Sequence, residues 1–221
     1  MASATTVPRG WNAAHLGDLT GKSFLITGGT SGIGKATALE LVRAGAHVTI
    51  TARDQVKAAN TVSDIGSNRI DSKLLDLADL SSVRSFAKSV TGEFDVLILN
   101  AGVMATPFSL TKDNFELQMG TNHLGHFALA GLLRSQIRDR IVAVSSQAHR
   151  AARISNFTAD DFRGKALGIG AYNPWSAYAL SKLANLLFIC ELERRQLRNN
   201  WNLQVLVVHP GYSDTNLITG A

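Results

Sequence analysis

The chain has a single cysteine among its 221 residues, Cys190, so it cannot form an internal disulfide. Cys190 lies in the apolar run LLFIC and is read as a buried helix residue. No stretch of 18 apolar residues exists, and residues 1–20, which hold Pro8, Gly10 and Gly17, have no continuous apolar segment. A membrane span and a secretory signal are therefore not expected, and the default location is the cytoplasm. Repeats, low-complexity tracts and interdomain linkers are also missing. His123 and His126 are spaced to share a helix face, but no Cys, Asp or Glu cluster joins them, so no metal site is expected. The net charge is +5, yet no interleaved aromatic platform or DNA-binding motif accompanies it. Arg134, Arg138, Arg140, Arg194, Arg195 and Arg198 are read as solvated helix ends meeting the macrodipole, and no nucleic-acid partner is expected.

With 45% hydrophobic and 18% charged residues, the composition fits one ordinary α/β domain over residues 21–221 behind an irregular arm at 1–20. Strands are expected at 23–27, 47–51, 73–76, 95–100, 140–145 and 204–209, with helical stretches between them. Such alternation predicts a doubly wound parallel sheet of order 3-2-1-4-5-6, with ligands at the carboxyl ends of the strands. Gly28, Asn100, Ser146 and Pro210 each fall just past a strand, so residues far apart in sequence converge on one sheet edge.

Two motifs carry the chemistry. The first is TGGTSGIG from Thr27 to Gly34, preceded by the strand-like SFLIT and followed by Ile33, Thr37, Leu41 and Ala44 at helical spacing. A strand, glycine turn and helix let backbone N–H groups approach a pyrophosphate, and the helix N-terminus adds about half a positive charge. Its glycines, Gly28, Gly32 and Gly34, depart from the common G-x-G-x-x-G spacing. The second motif is YALSK, in which Tyr178 and Lys182 stand at i and i+4 on one helix face after Pro174. A free phenol is only about 0.1% ionised at pH 7, and a shift of roughly three units would make that about half, a gain of the size acid/base catalysis delivers.

These motifs, together with LLDLADL, LILNAG, TNHLGHF, RIVAVSS and HPGYSDT in that order, resemble the short-chain dehydrogenase/reductase family. NHLGHFAL and AYALSKLANLLF are most similar to its branch of retinol dehydrogenases and bacterial oxidoreductases. The resemblance implies a Rossmann fold and an oxidoreductase that transfers hydride between NADP(H) and a small apolar alcohol, aldehyde or ketone. It implies a catalytic tetrad of Asn122, Ser146, Tyr178 and Lys182. Tyr178 is the acid/base, Ser146 binds the same oxygen, Lys182 favours tyrosinate and holds the nicotinamide ribose, and Asn122 holds a water that returns protons. Ser145 competes with Ser146, and Tyr172 is the weaker rival of Tyr178. Cofactor-binding roles fall on Gly28, Thr30, Ser31, Gly32, Ile33, Gly34, Arg53, Asp76, Leu77, Asn100, Ala101, Gly102, Tyr178, Lys182, Pro210, Gly211 and Thr215.

NAD-preferring members place a carboxylate at the end of the second strand, where this chain reads HVTITARD, with Ala52 at that position and Arg53 next. A guanidinium pairs with a 2′-phosphate, so NADP(H) is expected, while NAD(H) stays open if Asp54 serves the ribose instead. His149 and Trp175 border a long segment carrying Phe157, Phe162 and Tyr172, which either walls an apolar pocket or packs as a loop. The family often dimerises through the helix carrying YALSK, whose apolar residues serve either a second copy or the core. Family members usually continue beyond the Thr215 segment with a substrate lid, a helix and a last strand, none of which the remaining six residues supply. A dinucleotide-binding sensor or interaction module without turnover is therefore the alternative function.

Overall fold

A computed structural model describes residues 7–153, 162–163 and 172–211. The apolar runs become six strands, β1 (Ser23–Thr27), β2 (His47–Ala52), β3 (Ile70–Leu74), β4 (Phe94–Leu99), β5 (Ile137–Val144) and β6 (Gln204–Val208). All pair in parallel in the order β3-β2-β1-β4-β5-β6, the expected Rossmann arrangement. β6 is the last strand of this sheet, at the edge beside β5, and among the described residues nothing pairs with its outer side. β3 lies earlier than expected because Asp76 leaves the ladder for a turn: its N–H donates to Ser82 Oγ and its Oδ1 accepts Ala78 N–H.

Both faces of the sheet are covered, which is why its central strands are apolar without alternation. Phe24, Ile26, Ile50 and Val96 pack on one side with Ala38, Leu41 and Val42 of α1 (Gly32–Arg43). Leu25, Leu97, Leu99 and Ile141 pack on the other with Val83 and Phe86 of α3 (Leu80–Ser89) and with Leu129. Helix α1 therefore buries Ala38, Leu41 and Val42, while Ile33, Thr37 and Ala44 are half-buried.

Side-chain caps fix where several helices begin, each stabilising by about 1 kcal/mol. Asp54 Oδ1 accepts the N–H groups of Val56 and Lys57 at the start of α2 (Gln55–Ile65), and Asp79 does the same for Ser81 and Ser82 of α3. Glu116 caps the short α4 (Leu117–Met119), which runs through one π-helical turn (Gly120–Leu124) into α5 (Gly125–Leu132). Asn173 caps α6 (Pro174–Asn199), whose first residue is the proline that signalled it.

Of the arginines read as helix ends, Arg134 does follow the end of α5, in a 3-10 turn (Arg134–Gln136), but two others do not lie at one. Arg134 stacks over the Trp201 ring at 4.4 Å, and Arg138 and Arg140 stand on β5, where Arg138 pairs with Glu93. The strand begins at Ile137, earlier than expected, and carries them with it. The described part of the N-terminal arm contains one 3-10 turn (Ala13–His15) and is tied down where Leu19 N–H donates to the Ala44 carbonyl. Cys190 is exposed on α6, contrary to expectation.

Candidate active site at the carboxyl edge of the sheet

The turn after β1 is shaped by what its glycines lack. A Cβ on Gly34 would lie 2.2 Å from the Gly28 carbonyl oxygen and 2.6 Å from Asn100 Nδ2, and one on Gly29 would lie 2.4 Å from Ile50 Cγ2. Gly28 has φ +68°, a conformation that L side chains rarely adopt. Ser31 starts α1 without a side-chain cap, so the first turn's N–H groups are left for another acceptor. With Thr30 and Ser31 on the rim, this cradle fits a pyrophosphate. Arg53 is exposed directly after β2, and Asp54, also exposed, uses its Oδ1 to cap α2.

The cradle is tied to β4. Asn100 Nδ2 donates to the carbonyls of Thr27 and Gly28 at 2.9 and 3.1 Å, so this side chain secures the strands. Leu77 is buried against Gly125, where a Cβ would come within 2.4 Å of the Leu77 carbonyl oxygen. Gly102 leaves room for the tetrad: a Cβ there would lie 3.1 Å from Asn122 Oδ1 and 3.6 Å from Lys182 Nζ.

All four tetrad candidates are brought to this edge. Tyr178 and Lys182 are buried on α6, with Ser146 near enough to the phenol to lower its pKa, and Lys182 Nζ lies 5.6 Å from the Tyr178 ring centroid. The ammonium donates to the Val144 carbonyl at 3.1 Å. Asn122, fully buried in the π turn, accepts Val103 N–H at its Oδ1 and donates through Nδ2 to the Val103 carbonyl and Ser181 Oγ. Its amide thus ties the π turn to Val103 and to α6. Of the two serines after β5, Ser146 is the one whose hydroxyl lowers the pKa of the phenol, whereas Ser145 Oγ donates to the Lys182 carbonyl.

Burial sets the protonation states. It pushes the Tyr178 phenol up, with Ser146 pulling the other way, and pushes Lys182 down to about 8. The protein alone therefore does not favour tyrosinate, contrary to the expectation from Lys182.

The rival Tyr172 is engaged elsewhere, donating to Glu116 Oε1 at 2.8 Å and accepting from Gln118 Nε2. The histidine pair does not converge: His123 Nδ1 meets Asn185 Oδ1 at 3.2 Å, while His126 turns to Thr27 and the Asn122 carbonyl. Thr215 and Phe157 lie outside the described residues; Pro210 and Gly211 are exposed past β6. Phe162 lines a cavity of about 280 Å³ between Phe127 and Leu183 on the outer side of α5 and α6, which none of the tetrad lines. Trp175 is exposed. The apolar residues of α6 divide between the two roles left open for them: Ala177, Ala179 and Ile189 are buried, and Leu187 and Leu197 are exposed. The sequence reading missed Gly29, Thr27 and His126, although the doubled glycine and the NHLGHF string were visible. No described helix is long and apolar enough to cross a membrane.

Comparison with known proteins agrees with this geometry. The family profile for short chain dehydrogenase matches residues 22–158. Retinol dehydrogenase 14 of Mus musculus is 42% identical over 222 residues, covering 91% of this chain and 64% of the relative, so the chain spans about two-thirds of that protein's length. The crystal structure of an uncharacterized protein from Mycobacterium paratuberculosis, 48% identical, superposes with a TM-score of 0.85 over 95% of this chain and 75% of that one. A short chain dehydrogenase from Burkholderia cenocepacia in complex with NADP has a TM-score of 0.71 at 27% identity, covering 91% of this chain and 78% of its own. One from Burkholderia phymatum in complex with NAD also has a TM-score of 0.71, at 20% identity, with coverages of 91% and 69%. Sheet order, cradle and profile lead to one conclusion: the chain belongs to the short-chain dehydrogenase/reductase family of oxidoreductases.

Proposed function

We propose that this protein is an NADP(H)-dependent oxidoreductase that interconverts an apolar alcohol with its aldehyde or ketone, with Tyr178 as the general acid/base. The observation that carries this reading is the buried Tyr178 phenol, beside Ser146 and with its ring centroid 5.6 Å from the Lys182 ammonium, at the sheet edge that also holds the glycine cradle. Gly28, Thr30, Ser31, Gly32, Ile33 and Gly34 would hold the pyrophosphate, Arg53 the 2′-phosphate, and Asp76, Leu77, Asn100, Ala101 and Gly102 would border the adenosine. Pro210, Gly211 and Thr215 would flank the nicotinamide, and Lys182 its ribose. The cofactor, when bound, supplies or accepts the hydride.

The protein's part is proton movement and orientation. Tyr178 gives its proton to the carbonyl oxygen on reduction and takes it from the hydroxyl on oxidation, while Ser146 donates to the same oxygen and fixes it. A phenol held in its protonated form by burial suits the reductive direction, where the proton must be present before transfer. Lys182, with its pKa near 8, is about nine-tenths protonated at pH 7 and resupplies charge from behind the ring. The second lone pair of the Asn122 carbonyl is available to a water leading outward.

Titration of the chain with NADPH and NADH, followed by cofactor oxidation against apolar aldehydes and ketones, tests the proposal. NADPH is expected to bind about tenfold or more tightly than NADH, and Arg53→Asp is expected to reverse that order. Equal affinities in both forms of the chain would remove the NADP(H) assignment. Binding without turnover on any carbonyl would leave a dinucleotide-binding module.

A further inference from the structure

His126 is buried between α5 and the end of β1, with 1% of its surface exposed, and both ring nitrogens are matched. Nδ1 lies 3.0 Å from the Asn122 carbonyl, which only accepts, so Nδ1 carries the proton. Burial keeps the ring neutral, and Nε2 therefore accepts the Thr27 hydroxyl at 2.8 Å. Thr27 Oγ1 in turn receives the N–H groups of Asn100 and Ala101 at 2.9 and 3.1 Å. On the other side, Asn122 donates to Ser181 Oγ, and that hydroxyl donates to the Tyr178 carbonyl. One buried chain of hydrogen bonds thus runs from the base of the glycine cradle, through the imidazole, to the helix that carries the phenol. An apolar side chain would fill the same space without the desolvation cost of two ring nitrogens. The imidazole instead joins the end of β1 to the π turn.

We propose that His126 is a positioning residue that couples occupancy of the dinucleotide cradle to the placement of Asn122 and, through Ser181, of Tyr178. The inference rests on the oxidoreductase reading above for its kinetic consequence, but its structural consequence can be measured separately.

Two replacements split the bridge. In His126→Asn the amide reaches the place of Nδ1 and keeps the Asn122 contact, whereas in His126→Gln it reaches the place of Nε2 and keeps the Thr27 contact. Amide hydrogen exchange is measured on the full chain and both variants, with and without NADPH. In the parent, NADPH is expected to slow exchange both in the cradle (28–34) and in the π turn (120–125), by about tenfold or more. In each variant the slowing is expected to persist in the cradle and vanish in the π turn. Turnover at saturating NADPH is expected to fall about tenfold in both, with KM for NADPH within about threefold.

Protection of the π turn by NADPH in both variants, with only thermal stability lowered, would overturn the proposal and make His126 a packing residue. If the variants do not fold, the ring 15N signals of His126 in the parent decide: a neutral Nδ1–H form whose shifts move on adding NADPH supports the coupling, and unmoved signals overturn it. A parent that binds NADPH without turnover defeats the enzyme reading and leaves the exchange result to decide the coupling; a parent that does not bind NADPH defeats both.

Discussion

Two phenols flank the first turn of α6, and their partners separate a structural site from a chemical one. Tyr172 donates to a buried carboxylate, Glu116, which also accepts the N–H groups of Gln118 and Met119. Gln118 closes that node by donating to Tyr172 and to the Pro174 carbonyl and by accepting Ala105 N–H. Its proton is held: burial, with Glu116 adding to it, pushes the phenol up to about 12. Tyr178 has a serine and a buried ammonium nearby instead, neither of which competes for its proton. The same side chain is a tether in one setting and the proposed proton donor in the other, and the group beside it distinguishes the two.

Exchanging each phenol for phenyl breaks the comparison most severely. Tyr178→Phe is expected to lower turnover about 10³-fold while leaving NADPH affinity within a few-fold, because it removes the proton but not the cradle. Tyr172→Phe is expected to keep turnover within about tenfold and to cost about 1–3 kcal/mol of stability, because a buried carboxylate loses a donor. Turnover with NADPH and urea unfolding of both variants supply the test; equal turnover losses would show that the two phenols share one role.

Lys182 sharpens the contrast, since it is the one ammonium buried at the tetrad. Its pKa in the folded chain, about 8, lies below its ordinary 10.5, so the unfolded chain binds more protons between those values and this group's contribution makes stability rise with pH across that window. The rise amounts to about 3 kcal/mol at most. Lys182→Met is expected to lose it, to be at least as stable as the parent at pH 7, and to lower turnover about 100-fold. Thermal melts from pH 7 to 10.5 measure the first effect, and a parent curve flat over that range would show that the ammonium is not desolvated as its burial implies.

The contrast also explains what could be read from sequence. β1 was placed to the residue, because SFLIT is bounded by glycines on both sides and its apolar run has a single strand-length solution. Tyr178 and Lys182 were legible because i,i+4 spacing on a proline-started helix is a local property. The roles of Tyr172, Gly29 and His126 were not, since each depends on a partner far along the chain: Glu116, Ile50 and Thr27. β5 begins three residues before the expected 140; Arg138 and Arg140 read as a helix end, and only the pairing of Phe94 with Ile137 shows the strand there. The pKa of Tyr178 is expected to fall under Lys182 and an oxidised nicotinamide together; in the protein alone, burial, which sequence spacing does not reveal, pushes it up.

The smallest effect expected is that of Ser145, one of two neighbouring serines that repeat the comparison at hydroxyl scale. Ser145 Oγ is buried and donates to the Lys182 carbonyl at 2.9 Å, supporting the backbone of α6. Ser146 Oγ accepts Ala148 N–H at 3.2 Å and meets Tyr178. Ser145→Ala removes the donor and leaves a helical carbonyl that already has its own geometry, so about 1 kcal/mol of stability and less than about threefold in turnover are expected to be lost. Ser146→Ala removes the hydroxyl aimed at the reacting oxygen, for which about 10²-fold is the scale of one lost donor. Steady-state kinetics of the two alanine variants under one set of conditions distinguishes them, and a larger loss at Ser145 would reassign the serine of the tetrad.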